Sequence, residues 1–293
     1  MKFRHLLAGA TAAAALLIGG VPAFASPYSI NLGSFSGGGI QLKFNNFESF
    51  LNSTGQVTSS LAVGDQNFGV INVTQILDGS GSTGLWSNGG SNGYLVGVFN
   101  GITVSSITPN GSGEITNNSG GTFEIFHVQN APNFSSGTSG YTAAGCVIGS
   151  LCYNGISNVA GDTAPVLTFN LVPGTINNNA VTLQAVLNAT TFPTSGSATS
   201  YADITGGSAQ GQFVSGAEGP TALGTFADLY LLDNFCVNGA TSCSGGTPVG
   251  DWSLLSHDPV YAAVPEPGSL ALLGTALLLM GWFGYRRKEQ TDA

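Results

Sequence analysis

Seven Asn-Gly or Asp-Gly dipeptides narrow the fold of this chain more than any other feature: Asp78-Gly79, Asn88-Gly89, Asn92-Gly93, Asn100-Gly101, Asn110-Gly111, Asn154-Gly155 and Asn238-Gly239. Each sets side by side two residues that tolerate positive φ, as tight hairpin turns require and helix interiors penalise. Short apolar segments with a two-residue period lie between them. Val166 to Val172 places Leu167, Phe169 and Leu171 on one face, with Thr168 and Asn170 on the other. Val181 to Leu187 groups Val181, Leu183, Ala185 and Leu187 against Thr182 and Gln184. The runs Phe68 to Leu77 and Tyr94 to Ile107 are apolar on both faces, which predicts strands covered on both sides. Thr122 to Gln129 is a further strand candidate. Phe226 to Val237 is apolar enough for three helical turns, but its aromatics and the turn that follows favour a strand.

The expected class is therefore mainly β, an antiparallel β-sandwich or jelly roll. Richness in Asn and Gly also suits a β-helix, the alternative, although no constant repeat period is present. No Pro-rich linker or charge run divides residues 26–264, which predicts one exported all-β domain over that range.

The two chain ends differ from this body. Lys2 and Arg4 precede an apolar stretch from Leu6 to Ile18, and Ala23-Phe24-Ala25 supplies small residues at the positions a signal peptidase reads. Residues 1–25 are thus expected to be a signal peptide cut between Ala25 and Ser26. At the other end, residues 265–293 begin with Pro265-Glu266-Pro267, continue through a charge-free run at 268–285, and reach the basic stop Arg286-Arg287-Lys288. A helix over that run would extend about 27 Å, at the lower limit for crossing a hydrocarbon core of about 30 Å. The three cations would keep the chain end in the cytoplasm, leaving the body on the opposite side of the membrane.

Removing both ends exposes an extreme charge balance. Lys43 is the one cation between Ser26 and Val264, against twelve acids. Such a surface cannot neutralise a phosphate backbone, so nucleic acid is excluded as a partner. Many Phe, Tyr, Val, Ile and Leu residues argue against disorder. Solubility must come from Ser, Thr, Asn and Gly, neutral groups suited to water and glycans outside the cell.

Four cysteines fit an oxidising compartment. Cys146 and Cys152 are near neighbours in a Gly-rich stretch, as are Cys236 and Cys243, which favours two local disulfides among the three possible connectivities. Their spacings are too wide for the usual zinc knuckle, and no metal or other cofactor is expected.

Catalytic patterns occur in letters only. Gly89-Gly90-Ser91-Asn92-Gly93 matches a nucleophile elbow, but the residues after it read as a strand where a helix is required. Gly79 to Gly84 imitates a dinucleotide fingerprint with the same defect. Asp228 with Asp233, and Glu114 with Glu124, are the acid pairs a glycosidase would need. Asp65, Asp162, Asp251 and Asp258 lack the dense alternation of a calcium loop. His127 reads as a hydrogen-bonded strand residue. Trp86, Tyr141 and Trp252 lie in Gly/Ser-rich stretches, where a ring could stack on a sugar or plug the end of the fold.

The C-terminal tail resembles the PEP-CTERM sorting signal of Gram-negative bacteria: Val264-Pro265-Glu266-Pro267-Gly268, a Leu-rich span, and Arg286-Arg287-Lys288, in that order. The resemblance implies recognition by an exosortase, a membrane protease and presumed transpeptidase, acting at Pro265, Glu266 and Pro267. Such tails often accompany exopolysaccharide loci. The implied course is a precursor tethered transiently to the inner membrane and then a cell-surface or matrix protein, non-enzymatic and associated with exopolysaccharide or biofilm. An exported glycan-active hydrolase using a carboxylate pair is the alternative.

Overall fold

The computed structural model describes residues 30–32, 37–58, 61–134, 164–190, 194–237, 252–257 and 259–265, together with residues 275, 277 and 278. Thirteen strands form among them: β1 (Gly38–Leu51), β2 (Val57–Thr58), β3 (Gln66–Asp78), β4 (Gly84–Ser87), β5 (Tyr94–Asn110), β6 (Gly113–Ser119), β7 (Thr122–Val128), β8 (Leu167–Val172), β9 (Leu183–Leu187), β10 (Ser195–Gly206), β11 (Leu229–Val237), β12 (Leu254–His257) and β13 (Val260–Val264). They belong to one sheet, and its pairings are antiparallel.

The sheet closes on itself. β6 and β7 run end to end along β5, with Asn110 opposite Gly113 and Tyr94 opposite Val128. β9 and β8 share β10 in the same way, and β12 and β13 share both β1 and β11. Counted as staves, the strands give an eight-strand antiparallel barrel, each stave paired with its neighbours in sequence and the last returning to the first. Short β2 and β4 flank β1 and β3. Closure removes the exposed edges that a sandwich would have to protect.

This corrects the sandwich or jelly-roll expectation and the β-helix alternative. Two-residue alternation is common to all flat and closed antiparallel sheets; only the pairing of β12 and β13 with β1, across more than two hundred residues, makes a barrel.

The alternation itself holds. Leu167, Phe169 and Leu171 point into the barrel and are buried, while Asn170 is exposed. The two-faced runs also behave as expected. Ile71, Val73, Leu95 and Phe99 pack in one buried cluster inside, and Phe68, Val70, Val96 and Val98 pack in a second cluster on the outer wall. Trp252 joins this outer cluster, its ring 5.9 Å from Phe68 and its indole N–H donating to the Phe134 carbonyl at 3.3 Å.

Of the five dipeptides among the described residues, all but one lie at connections between elements. Asn110-Gly111 makes the β5–β6 hairpin, with Gly111 at φ 63°. Asp78 organises the turn after β3: its Oδ1 accepts from the Ser80 hydroxyl at 2.8 Å and the Ser82 amide at 3.0 Å. These bonds, the Ser80 bond foremost, hold the Asp78 carboxyl down at about 2. Asn100-Gly101 makes no hairpin. It forms a bulge inside the 17-residue strand β5, Gly101 at φ 76°, where the partner changes from β7 to β6. A bulge bends a strand and raises its twist, which is what a long stave needs to wrap around a barrel. Asn154-Gly155 and Asn238-Gly239 lie outside the described residues.

Of the span expected at 268–285, only residues 275, 277 and 278 are described, and they are helical. Among the described residues no helix is long and apolar enough to cross a membrane. The signal peptide at 1–25 and its cleavage point lie outside the described residues.

Candidate functional site

Three regions of the barrel carry chemistry: its interior, one side of its outer wall, and the point where the last strand leaves. An eight-strand barrel is just wide enough for its side chains to fill, or to hold one small ligand. Here the interior divides along the axis. Near the end where β1 starts and β13 finishes, Leu42, Phe44, Ile71, Val73, Leu95 and Val166 line a largely apolar cavity of about 40 Å³. Toward the far end a cavity of about 70 Å³ is lined by Asn46, Glu48, Asn67, Asp233, Ser200 and Ser256 among apolar neighbours. Asn46, Phe123 and Leu231 line both. Phe123 stacks between Phe99 and Phe169, with ring centroids 5.0 and 4.6 Å apart, because the register sets the three opposite one another on β5, β7 and β8.

Glu48 is the centre of the polar chamber. Alternation along β1 turns Ile40, Leu42, Asn46, Glu48 and Phe50 inward, so a carboxyl is carried to a position that burial would ordinarily reserve for an apolar side chain. Its Oε2 accepts from Asn67 Nδ2 at 2.7 Å, its Oε1 accepts from the Ser256 hydroxyl, and Asn46 also bonds it. Burial pushes the carboxyl above its ordinary value, and those three bonds only partly oppose the shift. The Oδ1 atoms of Asn46 and Asn67 are buried and accept no hydrogen bond.

On the outer wall Tyr201, Tyr230 and Tyr261 stand opposite one another on β10, β11 and β13. Their ring centroids are 4.8 and 6.0 Å apart, and all three are half-buried. Burial first, and then the neighbouring Tyr201 and Tyr261 hydroxyls, raise the Tyr230 hydroxyl above its ordinary value. Asp203 shares the Tyr201 face of β10, and its register partner Asn170 is exposed. The carboxyl of Asp203 is raised, by burial first and by the nearby Asp228 carboxylate second.

The glycan-contact residues expected from sequence are placed differently. Trp86 is 3 % exposed and Trp252 is 1 % exposed, so both rings serve packing and offer no face to a sugar. Tyr141 lies outside the described residues. The three wall tyrosines were missed because they are remote in sequence: only Tyr230 falls in a run read there as a strand, and the row forms only through register.

The acid pairs separate. Asp228 precedes β11 and accepts from the amides of Ile204 at 2.9 Å and Gly216 at 2.7 Å, whereas Asp233 lines the polar chamber. Five residues of extended chain place them about 17 Å apart, beyond either spacing of a glycosidase pair. Glu114 is the second residue of β6 and Glu124 lies in β7, farther apart still. Asp65 accepts from the Ala62 amide at 2.8 Å, an intraloop bond. His127 Nε2 lies 3.2 Å from the Asn92 carbonyl, consistent with a strand residue tied to a turn. The elbow-like Gly89 to Gly93 makes a short 3₁₀ turn at Gly90–Asn92 and then enters β5, without the helix that a nucleophile needs. Among the described residues no group of His, Cys, Asp or Glu is arranged to hold a metal ion. Cys236, at the end of β11, is disulfide-bonded; Cys146, Cys152 and Cys243 lie outside the described residues.

At the exit, β13 pairs β1 up to Val264 opposite Gly38, and Pro265 is already exposed. Residues 263–288 match the PEP-CTERM protein-sorting motif. No curated protein and no solved structure matches the chain. The match agrees with the tail resemblance read from Val264 to Lys288 and makes the protein an exported, membrane-processed precursor that an exosortase handles. The motif begins within β13, so no linker separates the barrel from the Pro-Glu-Pro segment. Two prolines favour extended backbone there and remove its amide donors, leaving a peptide that a protease cleft can bind.

Proposed function

We propose that the barrel is a non-enzymatic surface or matrix protein, released or re-anchored after its tail is processed, and associated with secreted polysaccharide. The observation that carries this reading is the sorting motif joined directly to the last barrel strand. The tail brings the body to the outer face of the membrane, and all the barrel strands precede the residues to be processed, so cutting beyond Val264 leaves the fold whole.

The outer wall supports the choice of partner. Tyr201, Tyr230 and Tyr261 are already ordered by stacking, so contact with a glycan would immobilise few additional rotamers. Their hydroxyls, with exposed Asn170 beside Asp203 on the same wall, offer neutral hydrogen-bonding groups that suit sugar hydroxyls. The hydrolase alternative is disfavoured by the separation of its acid pairs and by an interior chamber smaller than a hexose.

Co-sedimentation with exopolysaccharide from the producing strain tests the reading. The wild-type protein should pellet with the polymer and leave its chain length unchanged, while Tyr230→Ala should lose most of the pelleted fraction. Shortening of the polymer, abolished by a single carboxylate substitution, would replace this reading with the hydrolase.

A further inference from the structure

The polar chamber has no part in sorting or in the outer-wall contact, and its chemistry is lopsided. Three donors, from Asn46, Asn67 and Ser256, converge on the Glu48 carboxyl. Two amide oxygens on the same lining, Asn46 Oδ1 and Asn67 Oδ1, are left buried without a donor. Asn46 is itself 5 % exposed and Glu48 is 6 % exposed, so bulk water is not the ready partner it would be at a surface. Buried polar atoms in native proteins are almost always satisfied, and each exception calls for a missing group. What is missing here is a hydrogen-bond donor.

The charge balance narrows the donor further. Among the described residues, Glu48 and Asp233 are the titratable groups that line the chamber, and neither Lys nor Arg lines it. A carboxyl buried without a cation is pushed toward its neutral form, and a cation entering beside it would relieve that. A neutral hydroxyl would satisfy the amide oxygens but would bring lone pairs to a wall whose nearest amide donors already serve Glu48. An ammonium group brings only donors and a positive charge. The aromatic lining suits an alkyl chain, since Phe99 and Phe123, stacked face to face, turn their ring edges to the chamber.

Size sets the rest. A cavity of about 70 Å³, at about 10–15 Å³ for each water-sized occupant, accommodates about five non-hydrogen atoms. The 40 Å³ apolar cavity meets it at Asn46, Phe123 and Leu231, so the polar head and an apolar tail have distinct places. We propose that the barrel interior binds a short primary alkylamine as its ammonium ion, the head among Glu48, Asn46 and Asn67 and the chain against Phe123 and Leu231 toward the apolar cavity. This is a second function of the barrel and does not depend on the polysaccharide reading.

Calorimetric titration of the full-length protein in detergent tests it, with n-butylammonium chloride as the probe and 1-butanol as its neutral counterpart. Butylammonium should saturate one site with a dissociation constant of about 1 mM or tighter, within the affinity open to so small a ligand. Butanol should bind at least tenfold more weakly. Glu48→Gln should weaken butylammonium tenfold or more, and Asn46→Leu, which keeps the carboxylate, should weaken it severalfold, each in protein whose near-ultraviolet circular dichroism is unchanged. If neither variant folds, the wild-type protein alone decides: titration in two buffers of different ionisation heat should show proton release as the carboxyl gives up its proton to pair with the ammonium. Equal binding of butanol and butylammonium would overturn the proposal by reducing the chamber to an apolar hole. Absence of any saturable heat from folded wild-type protein at 10-fold the expected constant, about 10 mM, would overturn it as well.

Discussion

Glu48 shows how one side chain can be dictated by position and still oppose it. The β1 alternation sends it inward, and the register with β3 and β12 supplies Asn67 and Ser256 as its partners. Because its folded value is raised above the ordinary 4.5, the folded state holds the proton more tightly than the unfolded chain. By linkage, stability falls as pH rises through 4.5 toward the folded value, then levels off. Chemical denaturation of the unliganded protein across pH 4–8 should show that decline, and Glu48→Gln should reduce it, leaving the share of Asp203 and Glu218, whose carboxyls burial also raises. A wild-type curve that instead rises over the window would contradict the burial argument. Sequence alone could not find this residue: Glu48 sits in a stretch, Phe44 to Leu51, whose inward face is a mixture of polar and apolar side chains.

At the scale of elements, legibility followed side-chain size. β8 and β9 are readable because Leu, Val and Phe alternate with polar residues, whereas β11, an apolar run that could have been helical, was read as a strand from its aromatics and the turn after it. β10 was missed. Its inward positions Gly196, Ala198, Ser200 and Ala202 are small; a Cβ on Gly196 would lie 2.4 Å from the Phe235 ring of the neighbouring stave. Small residues carry little periodic signal in hydropathy, although they fit the lumen as well as large ones do. β5 was readable as a strand, but the Asn100-Gly101 bulge within it read as a turn, since both need the same backbone conformation. The bulge gives a discriminating pair of substitutions. Gly101 at φ 76° has open space where a Cβ would go, whereas a Cβ on Gly120 at φ 75° would lie 2.5 Å from the Gly101 carbonyl oxygen. Gly101→Ala should therefore cost about 1–2 kcal/mol, the left-handed penalty alone, and Gly120→Ala should cost clearly more by urea denaturation. Equal losses would mean that the two positions do not form one close-packed bend.

For the whole molecule, the barrel begins at Gly38 and ends at Val264 on the same end, paired with each other. The described chain thus enters and leaves at one end, and the polar chamber lies toward the other. The sorting motif starts inside β13, the last strand of the barrel. Glu266→Ala should leave a full-length tail on the protein in membrane fractions, while the wild type yields a mature mass lacking both termini. Identical full-length, membrane-bound masses for the two would remove the sorting role. The sequence by itself determined the class of the fold and the fate of the chain, because turn dipeptides, strand alternation and a sorting tail are local patterns read within a few residues. Tertiary structure decided that the sheet closes, that Tyr201, Tyr230 and Tyr261 form a row, and that Glu48, Asn46 and Asn67 share a chamber. Each of these depends on register between strands far apart in the chain, and a shift of one residue would turn every side chain of a strand to the opposite face.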